Sequence, residues 1–458
     1  MTNRYSHIFL LAVLIISILV LNLFRLTQIE YAILMCSVFF TGIGILWEKS
    51  QITPFLLFIV TFSFLFIGGR FWALLLSPGE AMFDLQGSTF LIREEIKASH
   101  FVSTLNWVIC FFLFSIFGYV IKKKRQFKTK NFENHRISSI LNIIFLPLAV
   151  FSILGKVMDF KYALDNGGYL ALFEGQNETY SSFSSLGTTL MYVFWGMAFT
   201  FGDKSLRRRY LILFLFFAVL TILIGSRGMF GSFLMFMLYI YSLNRKINIV
   251  KILLIGVGAV LLLLFVFTFS IREIGASDVS GGNMLSTFLY EQGVTFLVFD
   301  KTMDINDFPI VGYFQTFMPG AGTIYTHLIN PSAYPYELTF DAYISNTLNP
   351  IEYANGHGVG WSILGDLYVF SFGNIVFFSI LSIIFGCICA AIENHSNKHP
   401  FYSIVVYSLF FRFMILPRAG LNTIIPFLWY VVILYYMIVF VLSRQKITHS
   451  SQLTLERQ

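Results

Sequence analysis

Long apolar runs separated by short charged segments are the feature that most constrains this chain. The sequence has 458 residues, of which 57% are hydrophobic and 12% are charged, whereas an ordinary soluble domain carries about 25% charged residues. So few charges cannot cover the surfaces of two or three soluble domains, and one hydrophobic core of this size does not occur. The sequence therefore predicts an all-α polytopic membrane protein.

Twelve apolar runs are candidates for transmembrane helices, since one crossing takes about 20 residues. We interpret the first run as a retained span, because no small-residue cleavage pattern follows it. The predicted spans are residues 8–24, 31–46, 54–76, 104–121, 138–158, 186–201, 210–225, 229–243, 252–270, 374–392, 400–416 and 424–442.

Basic residues in the short connections predict the orientation of these spans. Residues 122–136 contain seven Lys and Arg, residues 204–209 contain four, and residues 245–251 contain three. The positive-inside rule places such segments in the cytoplasm. By alternation, both termini, including a tail at 447–458, are expected to be cytoplasmic, and the longest connection is expected to be external.

That longest connection runs over about 88 residues, 271–358, between the ninth and tenth spans. It contains nine acidic residues against two basic ones. We divide the chain accordingly into transmembrane helices 1–9 (1–270), a periplasmic region with membrane-surface or re-entrant helices (271–373), and transmembrane helices 10–12 (374–446). Carboxylates, amides and tyrosines in an ordered loop suit sugar recognition; a solvated lid without a ligand is the alternative. The apolar spacing of residues 285–299 predicts a helix that lies on the membrane surface or packs on the bundle.

Five arginines lie at or near the predicted external ends of spans, where a guanidinium group within the bilayer is costly. Guanidinium groups bind phosphate oxygens bidentately and stay charged at any relevant pH. For a single arginine, snorkelling to lipid headgroups is an alternative. Their common location predicts a binding site for a membrane-embedded anion such as a lipid pyrophosphate. The five are Arg70, Arg227, Arg272, Arg412 and Arg418.

Three short motifs resemble a known family. They are LIGSRG at 223–228, PRAG at 417–420 and GHGVGWSILGDLYVFSFG at 356–373. Together with about twelve spans and one long late loop, they are similar to the O-antigen polymerases, the Wzy family of oligosaccharide repeat-unit polymerases.

The resemblance implies an architecture and an activity. The architecture is a GT-C-like polymerase or ligase arrangement in the bacterial inner membrane. The activity is an inverting glycosyl transfer at the periplasmic face, within lipopolysaccharide biosynthesis. The growing glycan leaves undecaprenyl pyrophosphate and joins the next lipid-linked repeat unit. A chain-length regulator protein is a further candidate partner, and no nucleic-acid partner is expected.

Under this hypothesis, Arg227, Arg418 and Arg272 hold the donor pyrophosphate, and Arg70 or Arg412 supports them. The charge that develops on the leaving pyrophosphate is then stabilised by guanidinium groups. No metal or other cofactor is expected, because the spacing of the aspartates at 300, 304 and 307 is more typical of one solvated face.

The catalytic residues are predicted among external titratable groups, because a base would assist attack by the acceptor hydroxyl. We favour His357, which titrates near neutral pH and lies in the glycine-rich approach to the tenth span. Asp366 and Glu291 are also predicted catalytic residues, although either could instead bind sugar hydroxyls or pair with an arginine. Asp341 and His327 stay open as bases, and so does assistance by the phosphate itself.

Two other functions remain open at this point. An O-antigen ligase would share the spans and the loop but would transfer the finished glycan to a lipid A core. A transporter or lipid-linked oligosaccharide flippase would tend to show paired repeats and midplane ionisable groups. The halves of this sequence show no such repeat, and its embedded charges gather toward the external side.

Overall fold

The apolar runs fold into helices, which pair the backbone N–H and C=O groups of their interiors within one segment. The computed structural model of the protein describes residues 3–47, 52–89, 91–123, 132–166, 178–225, 228–243 and 283–438, with the single residues 256 and 258. These residues contain helices and turns and no β-strand. The predicted ninth span, apart from residues 256 and 258, and the two arginines at 227 and 272 lie outside the described residues.

The described residues before 244 form mostly long helices, with two short ones, α3 and α4. In chain order the helices are α1 Asn3–Leu23, α2 Gln28–Trp47, α3 Pro54–Thr61, α4 Gly69–Leu76, α5 Ala98–Lys122, α6 His135–Asp165, α7 Glu178–Phe201, α8 Lys204–Ile224 and α9 Gly228–Leu243.

The part after residue 283 begins with short helices and ends with three long ones. The short helices are α10 Met284–Gln292, α11 Val294–Met303, α12 Ile310–Phe317, α13 Ala321–Ile324, α14 Phe340–Leu348, α15 Pro350–Ala354 and α16 Ile363–Phe370. The long ones are α17 Ile375–Ser396, α18 Pro400–Ile415 and α19, a span over Leu421–Ile438 that starts with a 3-10 turn.

Six helices of the described part are long and apolar enough to cross a membrane, or seven if α3 and α4 form one span. This supports a polytopic helical membrane protein, while the number twelve stays a prediction.

The predicted third span is bent rather than straight. A π-helical segment, Phe62–Phe66, follows α3, and α3 and α4 meet at 54°. A Cβ on Gly68 would lie 1.6 Å from the Ser63 carbonyl oxygen, so the bend requires glycine there. The Trp72 indole N–H donates to this same carbonyl at 2.8 Å and satisfies it inside the bundle.

Small residues bring α5 and α17 into close contact. Ser382, Gly386 and Ala390 are spaced by four along α17, so they share one face, which is buried. At the same contact, the Cys387 thiol of α17 donates to the Gly118 carbonyl oxygen of α5 at 3.2 Å. Small side chains at such a crossing allow two helix backbones to approach each other, as in other membrane proteins.

A buried carboxylate joins three elements at the end of the bundle where α5 ends, here called the opposite end. Glu393 of α17 accepts hydrogen bonds from the Phe55 backbone N–H at 2.9 Å, from the Tyr119 hydroxyl at 2.5 Å and from the Lys123 ammonium group at 2.5 Å. Three elements, α3, α5 and α17, are therefore joined there.

The other end, here called the loop end, gathers the connections at 24–30, 77–97 and 416–423 together with residues 283–370. Hydrogen bonds join these segments, which are far apart in sequence: Tyr290 Oη to Asp84 O at 2.7 Å, Lys301 Nζ to Glu95 O at 2.9 Å, Gln28 Nε2 to Asp84 Oδ1 at 2.6 Å, and Asn349 Nδ2 to Leu91 O at 3.3 Å. The long loop is thus part of the bundle.

We expect Gly386→Ala to destabilise the protein, because a Cβ there would lie 1.9 Å from the Ser115 carbonyl oxygen. Overpacking of this kind typically costs about 1–3 kcal/mol. Thermal unfolding of the purified protein in detergent should therefore occur several degrees lower than in the wild type. Gly44→Ala in α2 is the matched control, because no atom lies within 4 Å of its Cβ position. Equal losses in both variants would contradict the proposed close packing.

Candidate functional site

Two arginines meet at a turn on the loop end, here called the arginine turn, Leu416–Thr423. It consists of the 3-10 turns Leu416–Arg418 and Leu421–Thr423 between α18 and α19. Arg412, at the end of α18, donates to the Thr423 carbonyl oxygen at 2.7 Å and stacks on the Phe427 ring at 4.6 Å. Arg418 is exposed and donates to the Gln292 amide oxygen at 3.1 Å.

A buried carboxylate fixes the arginine turn from α16. Asp366 is 1% exposed. One of its oxygens accepts the Trp361 indole N–H at 2.8 Å, and the other accepts the Leu421 backbone N–H within the turn. A Cβ on Gly420 would lie 2.7 Å from Trp361 Cδ1 and 3.0 Å from Asp366 Oδ2, so the turn lies directly on both side chains. Asp366 therefore positions the segment that carries Arg418.

The environment of Asp366 also changes its titration. Burial raises the pKa of the Asp366 carboxyl from 3.8 to about 7, and the N–H groups of Leu421 and Trp361 partly oppose that rise because they favour the ionised form. The same burial separates the carboxyl from any acceptor hydroxyl. The geometry favours a positioning role for this predicted catalytic residue.

Arg70 lies deeper than the other two arginines. Its side chain is fully buried and stacks on the Tyr290 ring at 4.6 Å. One terminal nitrogen donates to the carbonyl oxygens of Leu85 and Gly87, at 3.1 and 2.8 Å. Arg70, which the sequence predicts to support the pyrophosphate site, thus holds a backbone turn at 84–87 in this structure.

The α10–α11 junction connects Arg70 with Arg418. The single helix predicted over 285–299 is instead two helices that meet at Gly293. A Cβ there would lie 2.5 Å from the Arg70 backbone nitrogen, so this close approach requires glycine. The neighbouring Gln292 accepts the hydrogen bond from Arg418. The predicted catalytic Glu291 is exposed beside it. Both short helices carry buried side chains, so this segment packs on the bundle.

His357 forms a pair with a carboxylate. Its Nδ1 lies 2.8 Å from Glu352 Oε2, and both side chains are largely buried, at 12% and 13% exposed. A carboxylate on one ring nitrogen orients the imidazole and fixes its tautomer. The other ring nitrogen of His357, Nε2, is buried in this structure. The alternative base His327 lies elsewhere on the loop end, exposed, with its ring nitrogen 2.9 Å from the Thr323 carbonyl oxygen.

The prediction that the aspartates at 300, 304 and 307 lie on one solvated face is wrong for Asp300. Asp300 is 1% exposed and accepts the Thr104 hydroxyl at 2.6 Å. Lys301 is equally buried. The interpretation failed because α11 packs against the start of α5. In the described residues, no group of three or more His, Cys, Asp or Glu side chains is arranged to hold a metal ion.

The structure therefore brings together some of the predicted site residues. Arg412, Arg418 and Asp366 converge on the arginine turn, and Arg70 and Glu291 flank the adjacent α10–α11 junction. Sequence reasoning missed three supporting residues, which are Trp361, Gln292 and Glu352. For Trp361 and Glu352 a signal existed, since each lies five residues from the predicted site residue that it contacts. The contact between Gln292 and Arg418 joins positions 126 residues apart and leaves no local signal.

Comparison with known proteins gives one match. The family model described as O-antigen polysaccharide polymerase Wzy matches residues 5–447, which is nearly the whole chain. The resemblance drawn from the three motifs is confirmed. No curated protein and no solved structure matches the chain.

We expect the stability of the protein to depend on pH through Asp366. The pKa of its carboxyl is raised in the folded state, to about 7 from 3.8, so its stabilising contribution is complete below about pH 4 and is lost as pH rises through about 7. Between about pH 6 and about pH 8, the unfolding temperature of the wild type should fall more steeply than that of Asp366→Asn, which cannot titrate. Parallel pH profiles of the two proteins would refute this assignment.

Proposed function

Because the chain belongs to the O-antigen polysaccharide polymerase Wzy family, we propose that it extends a surface glycan by inverting glycosyl transfer between two lipid-linked molecules. The family consists of membrane glycosyltransferases that act on lipid-linked oligosaccharide repeat units. The growing glycan leaves undecaprenyl pyrophosphate, and its anomeric carbon is attacked by a hydroxyl of the next lipid-linked repeat unit. One observation carries the proposal: two arginines converge on a turn that a buried carboxylate holds in place.

The arginine turn suits the departing pyrophosphate. As the anomeric carbon becomes oxocarbenium-like, negative charge develops on the leaving oxygen, and nearby fixed positive charge lowers the energy of that state. Arg418 is exposed and can contact the pyrophosphate directly. Arg412 is half-buried and bound to Thr423, so it contributes charge from behind the turn. The turn is fixed before substrate binds, which avoids reorganisation during the reaction.

Arg227 and Arg272 are proposed to complete this site from outside the described residues. The chain neighbour of Arg227 supports its assignment. A Cβ on Gly228 would lie 3.5 Å from Ile415 Cγ2, at the entrance to the arginine turn. Arg70 is proposed to act indirectly, because its guanidinium group supports the 84–87 turn and the Tyr290 ring.

We assign His357 as the base that accepts the proton of the attacking hydroxyl, with Glu352 orienting it. Glu291 is exposed on the loop end and is proposed to bind sugar hydroxyls. The mechanism requires no metal, since guanidinium groups carry the charge of the leaving group. We also propose the architecture, the location and the orientation of the protein. It would have twelve spans in a GT-C-like arrangement in the inner membrane, with cytoplasmic termini and with the loop end at the periplasmic face.

The arginine turn predicts a glycan phenotype. In a strain lacking the gene, long surface glycans should disappear while one repeat unit stays attached to the lipid A core. Complementation with Arg418→Ala should leave the ladder short, because removal of one charge-stabilising donor typically costs about 10²–10³ in rate. The measurement is a gel of the surface glycan at matched protein level.

Arg93→Ala is the matched control, since Arg93 is an exposed arginine of the same end of the bundle, and it should restore the long ladder. A normal ladder with Arg418→Ala would refute the pyrophosphate site. Complete loss of attached repeats in the deletion strain would instead indicate a ligase or a flippase.

The contact between His357 and Glu352 predicts a graded loss of activity. His357→Ala should reduce the polymerisation rate by about 10²–10⁴, as expected for loss of a general base, and Glu352→Gln should reduce it less, because the imidazole remains. The measurement is polymer formation from extracted lipid-linked repeat units by the purified enzyme. His327→Ala, at an exposed histidine of the same loop, should retain full activity. Should His327→Ala abolish activity while His357→Ala does not, the two assignments would have to be exchanged.

A further inference from the structure

A cavity on the loop end lies apart from the arginine turn. It has a volume of about 500 Å³ and is formed by the end of α1, the α1–α2 connection, the start of α2, Gln86 and the start of α5. Its polar lining comes from Asn22, Arg25, Gln28, Tyr31 and Gln86, and it contains no acidic residue. A cavity of this size is typical of small-ligand sites, and a lining with one cation, three amides and a phenol suits an anion.

The wall of this cavity is fixed by hydrogen bonds. Gln28 uses both ends of its amide, donating to Asp84 Oδ1 at 2.6 Å and accepting the Leu85 backbone N–H at 3.2 Å. The buried Arg70 donates to the carbonyl oxygens of Leu85 and Gly87 in the same turn. Two side chains therefore hold the turn that carries Gln86, which reduces the entropy lost when a ligand binds.

Arg25 is the one charged residue of the lining, and it is exposed. Within the described part of the chain no carboxylate pairs with its guanidinium group. Phosphate oxygens are the natural partners of an arginine in such a position. The side-chain amide of Gln86 would bind a further oxygen, whereas the amide of Asn22 donates to the Ile18 carbonyl oxygen at 2.7 Å and so helps to form the wall.

The surroundings of Arg25 indicate that the anion belongs to a lipid. Leu23, Phe24 and Ile29, in or beside the connection that carries Arg25, are 71%, 61% and 41% exposed. Large apolar side chains that remain exposed on a membrane protein face acyl chains, so the cavity adjoins lipid at the level of the headgroups. A ligand that reaches it from the bilayer would bring an anionic head and an apolar tail.

We propose that this cavity binds the phosphate head group of a membrane-embedded lipid, separately from the arginine turn. The inference rests on the proposed function, in which two lipid-linked molecules react and each carries its own pyrophosphate. One lipid phosphate occupies the arginine turn, and the cavity at Arg25 holds the other, that of the acceptor. A phospholipid would offer the same chemistry, so the test includes both sources.

The test measures lipid binding by the purified full-length protein, independently of polymerisation. Arg418→Ala protein in nanodiscs of phosphatidylcholine is incubated with undecaprenyl pyrophosphate or with phosphatidylglycerol, and bound lipid is counted by native mass spectrometry. This background weakens the arginine turn, so the remaining anionic lipid reports the cavity. Adding Arg25→Ala should weaken that binding roughly 10- to 100-fold, as expected for loss of a charged hydrogen-bonding partner. Arg25→Lys should weaken it less, and Arg93→Ala should leave it unchanged.

Preference for undecaprenyl pyrophosphate would support the acceptor site, and equal binding of phosphatidylglycerol would support a lipid-phosphate site filled by a phospholipid. Unchanged binding after Arg25→Ala, with unfolding temperatures equal to those of the parent protein, would overturn the proposal. The glycan ladder distinguishes this outcome from failure of the proposed function. If only the cavity proposal fails, Arg418→Ala will still leave the ladder short. If the proposed function fails, Arg418→Ala will restore the long chains.

Discussion

A polar group placed among these apolar helices must find its partner within the protein, because the bilayer interior offers no water. Arg70 is bound to two backbone carbonyl groups, Asp366 accepts an indole and a backbone N–H, and Glu393 accepts three donors from two other helices. Each of these groups joins segments that are distant in sequence. These few buried charges therefore hold connections between helices in place. Several of those connections form the loop end.

The same constraint makes the long loop a structural part of the bundle. Its first two helices pack on α4 and α5, where Gly293 touches the Arg70 backbone and Asp300 accepts a hydrogen bond from Thr104. Because the loop is anchored there, Gln292 is available as a partner for Arg418. A site built in this way combines residues from the third span, the loop and the final helices, and its geometry depends on the packing of all three.

The sequence was sufficient for the class of fold, because periodicity and charge position are properties of a single segment. Residues 98–122 and 375–396 are helical close to where the apolar runs predicted them. It was insufficient where two distant segments decide the outcome. The bend at Gly68 depends on the Ser63 carbonyl and the break at Gly293 on the Arg70 backbone. The burial of Asp300 depends on the start of α5. The sequence of one apolar run does not show which distant segment it will contact.

Arginines that look alike in the sequence differ in what surrounds them, and this difference separates their roles. Arg70 is enclosed by carbonyl groups and an aromatic ring, so its charge stabilises protein. Arg412 is half-buried behind a turn, whereas Arg418 and Arg25 are exposed, Arg418 beside Gln292 and Arg25 at the cavity that Gln86 lines. Under the proposed function two lipid-linked anions react, and each would meet one exposed arginine. Arg70 contacts the surroundings of both, because its guanidinium group holds the 84–87 turn and its backbone touches Gly293, so the burial of one arginine helps to fix the positions around two exposed ones.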